Sequence, residues 1–288
     1  MPDLPPYAWT LVAAILGLVV GSFLNVVILR LPERMEAQWK RDARDMLELT
    51  DDGDDPAPLP PGIVREPSHC PHCKHPLSAA DNIPLFGWLL LRGRCRYCRS
   101  PISIQYPLVE LMTAVLSAVV VWKFGVTWAA LAGLMLTWSL VALAGIDFRT
   151  QLLPDQITLP LLWVGLLLAL VPVFATAPMA ILGAAIGYLS LWSVYWLFKL
   201  LTGKEGMGYG DFKLLAALGA WLGPWSLLPI ILLSSLIGAI VGGSLIALRR
   251  HGREVPIPFG PFIAAAGWTW FVAGPHLLQA YLHLTGMR

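Results

Sequence analysis

The chain has 288 residues, and its 20 lysines and arginines against 18 acidic residues give a formal net charge of +2. Hydrophobic residues make up 57% of it and charged residues 13%, which is about half the share found in soluble domains. Residues 30–99 hold 11 basic and 11 acidic residues, so most of the charge lies in one segment. This composition argues against a soluble globule, a disordered tail or a nucleic-acid-binding protein. It predicts an all-α polytopic membrane protein with one polar insert.

Seven apolar runs are long enough to cross about 30 Å of hydrocarbon. They are continuous rather than alternating, which favours helices over the strands of a barrel. The first run has no basic residue ahead of it, so it is interpreted as a retained transmembrane helix and not as a signal peptide. The runs are Trp9–Leu29, Tyr106–Lys123, Trp128–Ile146, Ile157–Phe174, Met179–Leu200, Leu214–Leu248 and Phe262–Leu282.

The distribution of Lys and Arg predicts the side of the membrane on which each loop lies. Besides the 11 in residues 30–99, seven others fall in loops of the same side, which places 18 of the 20 in the cytoplasm. Because Lys199 and Arg249 both belong there, residues 214–248 must cross the membrane an even number of times. A break at Gly223-Pro224 satisfies this condition and gives about eight transmembrane helices. The seven other basic residues are Arg149, Lys199, Lys204, Lys213, Arg249, Arg250 and Arg253.

The four cysteines form two CxxC pairs, Cys70-Pro-His-Cys73 and Cys95-Arg-Tyr-Cys98, inside the polar insert. Two such pairs at this separation are typical of a tetrahedral Zn²⁺ site, and four thiolates indicate a closed, structural site. Two disulfides or four unrelated thiols are the alternatives, and a cytoplasmic insert argues against disulfides. Three histidines beside the first pair could substitute as ligands, but the simpler interpretation is that they are solvated. These are His69, His72 and His75.

Two aspartates stand at the ends of predicted spans: Asp147 closes the third span and Asp211 opens the sixth. Ionisable residues in such places are costly and tend to be functional. Two carboxylates that share one proton can cleave a peptide, because the ionised one takes a proton from water while the protonated one polarises the carbonyl. Helix capping is the alternative for Asp211, and it is the expected role of Asp155. Asp147 ends a helix, where the dipole disfavours a carboxylate.

An ordered set of motifs resembles the type IV prepilin peptidases in their bifunctional form, a family of GxGD-type aspartyl proteases. Gly208-Tyr209-Gly210-Asp211 matches the GxGD signature, in which Gly208 and Gly210 form the supporting loop. The resemblance places Asp147 and Asp211 at the positions of the catalytic pair. Further matching segments are Gly21–Val27, Arg30–Pro32, Cys95–Cys98 with Ser100–Ser103, Tyr106–Glu110, Ile146-Asp147, Leu153–Asp155 and Thr158–Pro160.

The resemblance implies two activities at the bacterial inner membrane. The first is removal of a short basic leader from type IV prepilins and type II secretion pseudopilins at the cytoplasmic face. The second is methylation of the new amino terminus with S-adenosylmethionine, the methyl donor. The apolar runs and the polar insert predict three parts of the chain. These are residues 1–31 as the first transmembrane helix, 32–104 as the cytoplasmic insert with zinc knuckles, and 105–288 as the helical membrane domain with the protease site.

The methyl-donor site is unknown from sequence, because the chain has no Gly-rich nucleotide loop of the usual kind. Gly21–Asn25 and Ser100–Glu110 are candidate segments, although Glu110 is equally well explained as a dipole partner at a helix N-terminus. A peptidase without methylation remains an alternative. So does a transporter that uses the acids as a proton relay, which would place them near the membrane midplane, or a zinc-dependent adaptor anchored by the spans.

Overall fold

The computed structural model describes residues 5–47, 59–64, 66–78, 80–248 and 257–285. Within these ranges all regular structure is helical apart from two isolated β-bridges. The all-α class predicted from the composition is therefore confirmed. The helices are α1 (Pro6–Met46), α2 (Phe86–Leu90), α3 (Gln105–Phe124), α4 (Trp128–Thr150), α5 (Asp155–Leu168), α6 (Ala177–Thr202), α7 (Tyr209–Leu222), α8 (Leu227–Ala247) and α9 (Gly260–Thr285).

Five helical segments of the described chain are long and apolar enough to cross a membrane. They lie in α1, α3, α4, α6 and α8. The other predicted spans coincide with α5, α7 and α9, of which α5 and α7 have 14 residues each. A helix of that length rises only about 21 Å, less than the hydrocarbon thickness. The multi-pass helical character is thus confirmed, while the number of eight crossings stays a prediction.

The predicted break at Gly223-Pro224 is present between α7 and α8. Gly223 has φ of +80°, a left-handed conformation that a glycine adopts without strain, and it ends α7. Pro224 then opens a short 3-10 turn that leads into α8. Residues 249–256, which include the three arginines used to predict sidedness, lie outside the described part of the chain.

The chain divides into two compact units, residues 1–122 and 123–288. The domain boundaries at 31 and 104 are drawn by membrane topology rather than by packing, and they remain predictions.

In the first unit α1 packs closely against α3 through small residues. A Cβ added to Gly17 would lie 2.7 Å from the Ala114 Cα, and one on Gly21 would lie 2.7 Å from the Glu110 Cα. Such close helix contact is typical of small residues spaced four apart in membrane helices.

The core of the second unit is α7, which is buried along almost its whole length. It crosses α6 so closely that a Cβ on Gly183 would lie 2.1 Å from the Gly219 carbonyl oxygen. On another side, the Trp221 indole N–H donates to the Leu161 carbonyl of α5 at 2.7 Å. A buried helix held by its neighbours on several sides gives the residues at its first turn a fixed position, and Asp211 is one of these.

Candidate active site and metal centre

Asp147 lies in the last turn of α4 and is 5% exposed. Its Oδ2 accepts a hydrogen bond of 2.9 Å from the backbone N–H of Gly260, the first residue of α9. The positive end of the α9 dipole therefore faces a carboxylate that the end of its own helix disfavours. The backbone turns at Gln151, directly beyond α4, with a φ of 55°.

Asp211 is the third residue of α7 and is 7% exposed. Its carboxylate lies near the backbone N–H of Gly208, the N-cap of α7. Since Gly208 is the N-cap, Asp211 does not have the helix-capping role that the sequence offered as its alternative. Oδ1 is buried with no hydrogen-bond partner in the described structure. A buried oxygen without a partner is unusual, and catalytic groups are one class in which it occurs.

The structure brings the two aspartates into one site. They are close enough for the charge of Asp147 to act on Asp211. Leu153, in the connection between α4 and α5, lies beside Gly210, which precedes Asp211, and beside Gly260, which contacts Asp147. A Cβ added to Gly210 would lie 2.7 Å from the Leu153 Cβ, and one added to Gly260 would lie 3.2 Å from its Cδ1.

The loop before Asp211 is held by contacts to α6. Lys199 pairs with Glu205 at 2.8 Å and also donates to the hydroxyl of Tyr195. The Lys199 ammonium thereby lowers the pKa of Glu205. The Tyr209 ring of the GxGD motif packs on Tyr195 with centroids 5.3 Å apart.

The expected N-cap role of Asp155 is wrong, because Pro154 is the N-cap of α5 and Asp155 is the first residue of the helix. Both Asp155 carboxylate oxygens instead accept hydrogen bonds of 2.7 Å from Lys213. Lys213 lies two residues after Asp211, so this ion pair joins the start of α5 to the start of α7. A proline has no N–H to lose at a helix start, which is why Pro154 suits the position.

The four cysteines form one cluster in the first unit, and their Sγ atoms all lie within 4.8 Å of one another. The Cys70 and Cys98 sulfurs are 3.7 Å apart, and those of Cys73 and Cys95 are 4.0 Å apart. All four thiols are free, so the disulfide alternative is not supported. The cluster is suited to a metal ion.

The two CxxC segments repeat one local structure. In the first, the Cys70 N–H donates to the His75 carbonyl and the Lys74 N–H donates back to Cys70. In the second, the Cys95 N–H donates to the Ser100 carbonyl and the Arg99 N–H donates to the Cys95 carbonyl. Lys74 and Arg99 stand at equivalent positions with φ of 58° and 57°.

These turns direct backbone N–H groups at the sulfurs, as metal-binding knuckles do. The Cys73 N–H donates to Cys70 and lowers the pKa of that thiol to about 6, which favours the thiolate. The three neighbouring histidines are not part of the thiol cluster. His72 and His75 are exposed and His69 is half-buried, which is close to the solvated state expected for them.

The two candidate segments for the methyl donor lie against each other. The Asn25 amide donates to the Tyr106 carbonyl at 3.1 Å, and Gly21 packs on Glu110. Glu110 does not act only as a dipole partner, because its Oε2 accepts a hydrogen bond of 2.8 Å from the Leu85 N–H of the insert.

Sequence reasoning missed Gly260, which contacts Asp147 from 113 residues away. The available signal was a glycine set between Pro258 and Pro261 just ahead of an apolar run. It also missed Leu153, whose side chain lies beside both Gly210 and Gly260.

A multi-pass helical fold with paired buried carboxylates at helix ends is the arrangement of a membrane aspartyl peptidase. The chain belongs to the type IV leader peptidase family. The family described as the Bacterial Peptidase A24 N-terminal domain matches residues 15–124, and the Type IV leader peptidase family matches residues 134–243. Their boundary falls close to the division between the two structural units.

Curated relatives match the chain over almost its whole length. It is 57% identical over 276 residues to a prepilin leader peptidase/N-methyltransferase of Xanthomonas campestris pv. campestris, covering 96% of this chain and 95% of that protein. Identity to proteins of the same name is 55% over 278 residues in Aeromonas hydrophila, with the same coverage. In Pseudomonas aeruginosa it is 52% over 284 residues, covering 98% of this chain and 97% of the relative. No solved structure matches the chain.

Proposed function

We propose that this protein removes the leader peptide from type IV prepilins and type II secretion pseudopilins and then N-methylates the new amino terminus. The observation that carries the peptidase half is the pair of buried, interacting carboxylates of Asp147 and Asp211 at the ends of α4 and α7. Their places at helix ends also favour a peptidase over a proton-relay transporter, whose acids would lie in mid-helix. The names of the relatives support both activities.

Asp147 and Asp211 act as an aspartyl dyad that shares one proton. The ionised carboxylate accepts a proton from water as the water oxygen attacks the scissile carbonyl carbon, and the protonated carboxyl donates a hydrogen bond to the carbonyl oxygen. Collapse of the tetrahedral species then breaks the carbon–nitrogen bond, with a proton passing to the leaving amine. The Gly260 N–H keeps Asp147 oriented, while the unpartnered Oδ1 of Asp211 is free to engage the substrate.

The thiol cluster holds a structural Zn²⁺. With a Zn–S bond of 2.3 Å, the edges of a tetrahedron of sulfurs are about 3.8 Å long. The 3.7 Å and 4.0 Å sulfur pairs agree with that length. Four thiolates leave no open position for substrate, so the ion stabilises the insert rather than taking part in cleavage.

The methyl donor is S-adenosylmethionine, which supplies an electrophilic methyl group when it is bound.

The protein lies in the bacterial inner membrane, with the insert and both aspartates on the cytoplasmic side. A prepilin helix anchored in the bilayer would then present its leader junction at the level of the helix ends that carry the dyad. The lipid bilayer and these pilin-like substrates are its partners, and no nucleic acid is involved.

Processing of a model prepilin by the purified full-length protein tests this function. With S-adenosylmethionine present, we expect loss of the leader and the mass increment of one methyl group. Asp147→Asn and Asp211→Asn should each abolish cleavage, because either change removes the shared proton. Asp42→Asn is the matched control, since Asp42 is an exposed carboxylate on α1. Cleavage that survives both dyad substitutions would contradict the aspartyl mechanism.

A further inference from the structure

Glu110 is a buried carboxylate for which the proposed peptidase mechanism has no use. It is 6% exposed, and it lies on α3 within a helix apolar enough to cross the membrane. Its Oε2 accepts a hydrogen bond of 2.8 Å from the Leu85 N–H, and the side chain of Ser22 lies nearby. Among the described residues no lysine or arginine pairs with it. A buried carboxylate without a positive partner is costly, and such groups within membrane segments tend to be functional.

A buried amide on α1, in the same contact with α3, has an oxygen without a partner among the described residues. Asn25 is 1% exposed, and its Nδ2 donates to the Gly21 and Tyr106 carbonyls. Its Oδ1 is buried and has no partner in the described structure. A buried amide oxygen left in this state costs free energy unless another group supplies the donor.

The backbone of α1 connects these two groups. Gly21 packs against the Glu110 Cα so closely that no side chain fits between them, and Ser22 lies near the carboxylate. Asn25 follows one turn later on α1 and reaches the backbone of α3 at Tyr106. Within the described part of the chain, the α1–α3 contact therefore buries a carboxyl group with no cationic partner and an amide oxygen with no hydrogen-bond donor. Both groups favour a ligand that is cationic and donates hydrogen bonds.

We infer that Glu110 and Asn25 form the cation-binding part of the methyl-transfer site, an inference that rests on the proposed function. The reaction supplies two cations of this kind: the sulfonium of the methyl donor and the ammonium form of the new amino terminus. In the transfer, the amine nitrogen bonds to the methyl carbon and the carbon–sulfur bond breaks, leaving its electron pair on sulfur. The amine also loses one proton, which the Glu110 carboxylate is able to accept.

Glu110→Gln separates this role from a structural one. The glutamine Oε1 still accepts a hydrogen bond from the Leu85 N–H, whereas the negative charge is lost. We expect zinc content and leader cleavage to be unchanged, and methylation to fall by about tenfold or more, as for the loss of a bond to a charged group. Glu33→Gln is the matched control, because Glu33 is an exposed carboxylate on α1.

Equilibrium binding of two donor analogues distinguishes the two cations. Sinefungin carries an ammonium in place of the methylsulfonium, while S-adenosylhomocysteine has a neutral thioether. If Glu110 faces the donor, Glu110→Gln weakens sinefungin binding by about tenfold and leaves S-adenosylhomocysteine unchanged. If it faces the amine, both analogues bind normally and the methylation rate of the variant continues to rise with pH where that of the wild type has levelled off.

Asn25→Ser keeps the test decisive if Glu110→Gln disturbs folding, because it leaves the bond between Glu110 and Leu85 in place. It should also lower methylation while cleavage continues. Normal methylation by Asn25→Ser, or by a folded Glu110→Gln protein with unchanged analogue binding, would overturn the inference. Failure of the wild-type protein to methylate would instead count against the proposed function itself.

Discussion

The carboxylate of Asp147 and the backbone N–H of Gly260 form a buried hydrogen bond of 2.9 Å that joins the end of α4 to the start of α9. The contact places the positive end of one helix dipole against an acid at the negative end of another. It also leaves no room for a side chain, because a Cβ on Gly260 would lie 2.7 Å from the Asp147 Oδ2. The orientation of this aspartate therefore depends on a residue that has no side chain of its own.

Gly260→Ala tests this dependence. The backbone of Gly260 has no positive φ, so alanine fits its conformation, and alanine favours a helix more than glycine does. The added methyl group displaces the Asp147 carboxylate and should lower kcat for leader cleavage by about one to two orders of magnitude, with KM little changed. Steady-state cleavage of a model prepilin measures both constants.

Gly243→Ala is the matched control for Gly260→Ala. Gly243 lies within α8, and a Cβ there would meet nothing within 4 Å. Its cleavage rate should equal that of the wild type. Equal rates for Gly260→Ala and Gly243→Ala would show that the Gly260 contact does not orient the aspartate.

The two glycines of the GxGD motif should differ in their tolerance of alanine. A Cβ on Gly210 would lie 2.7 Å from the Leu153 Cβ, whereas one on Gly208 would meet only the Gly210 nitrogen, at 4.0 Å. Gly210→Ala should therefore move Leu153 or the start of α7 and lower cleavage by about tenfold or more. Gly208→Ala should retain most activity. Cleavage rates of the two variants, measured side by side with the wild type, check this. Equal losses of cleavage rate would show that the motif needs its glycines for another reason.

Features of the site that depend on local sequence could be predicted, and those that depend on long-range packing could not. The break at Gly223-Pro224 and the pairing of the cysteines follow from residue types and short spacings, and the structure bears both out. The contact of Gly260 with Asp147 could not be derived, because nothing in the sequence pattern fixes how α9 meets α4. The capping prediction for Asp155 failed for a related reason, since a lysine 58 residues away provides its partner.

Removal of the metal should unfold the insert before it affects cleavage. The Cys70 and Cys98 sulfurs are 3.7 Å apart and those of Cys73 and Cys95 are 4.0 Å apart. All four are needed for a tetrahedral site, so we expect the loss of a single thiol to abolish zinc binding. Cys70→Ser should reduce bound zinc from one ion to none and expose the insert to limited proteolysis, because the metal supplies much of its folding free energy. Methylation should fall with it, and leader cleavage should be affected less.

His72→Ala is the control for Cys70→Ser, because His72 lies between the cysteines of the first pair but outside the sulfur cluster. Metal analysis of both proteins together with a proteolysis time course makes the comparison. Full zinc retention by Cys70→Ser would refute a site of four thiolates. Zinc loss with an intact insert and normal methylation would refute a structural role for the metal.

Lys123 should stabilise the second unit through a helix that a proline interrupts. Pro275 lies inside α9 and lacks the N–H that would bond to the carbonyl of Phe271, four residues earlier. Lys123 donates to this carbonyl at 3.2 Å and also to the carbonyl of Val272. Lys123→Met retains an apolar chain of similar length and leaves both carbonyls without the ammonium.

The expected cost of Lys123→Met is about 1.5–3 kcal/mol of unfolding free energy, the usual value for a hydrogen bond to a charged group. Thermal unfolding of the detergent-solubilised protein should show this as a lower Tm, while the dyad chemistry at the remote aspartates changes little below that temperature. Lys204→Met removes an exposed lysine that follows α6 and should leave the Tm unchanged. Equal Tm values for the two variants would mean that the Lys123 ammonium is not needed to replace the hydrogen bond that Pro275 cannot donate to the Phe271 carbonyl.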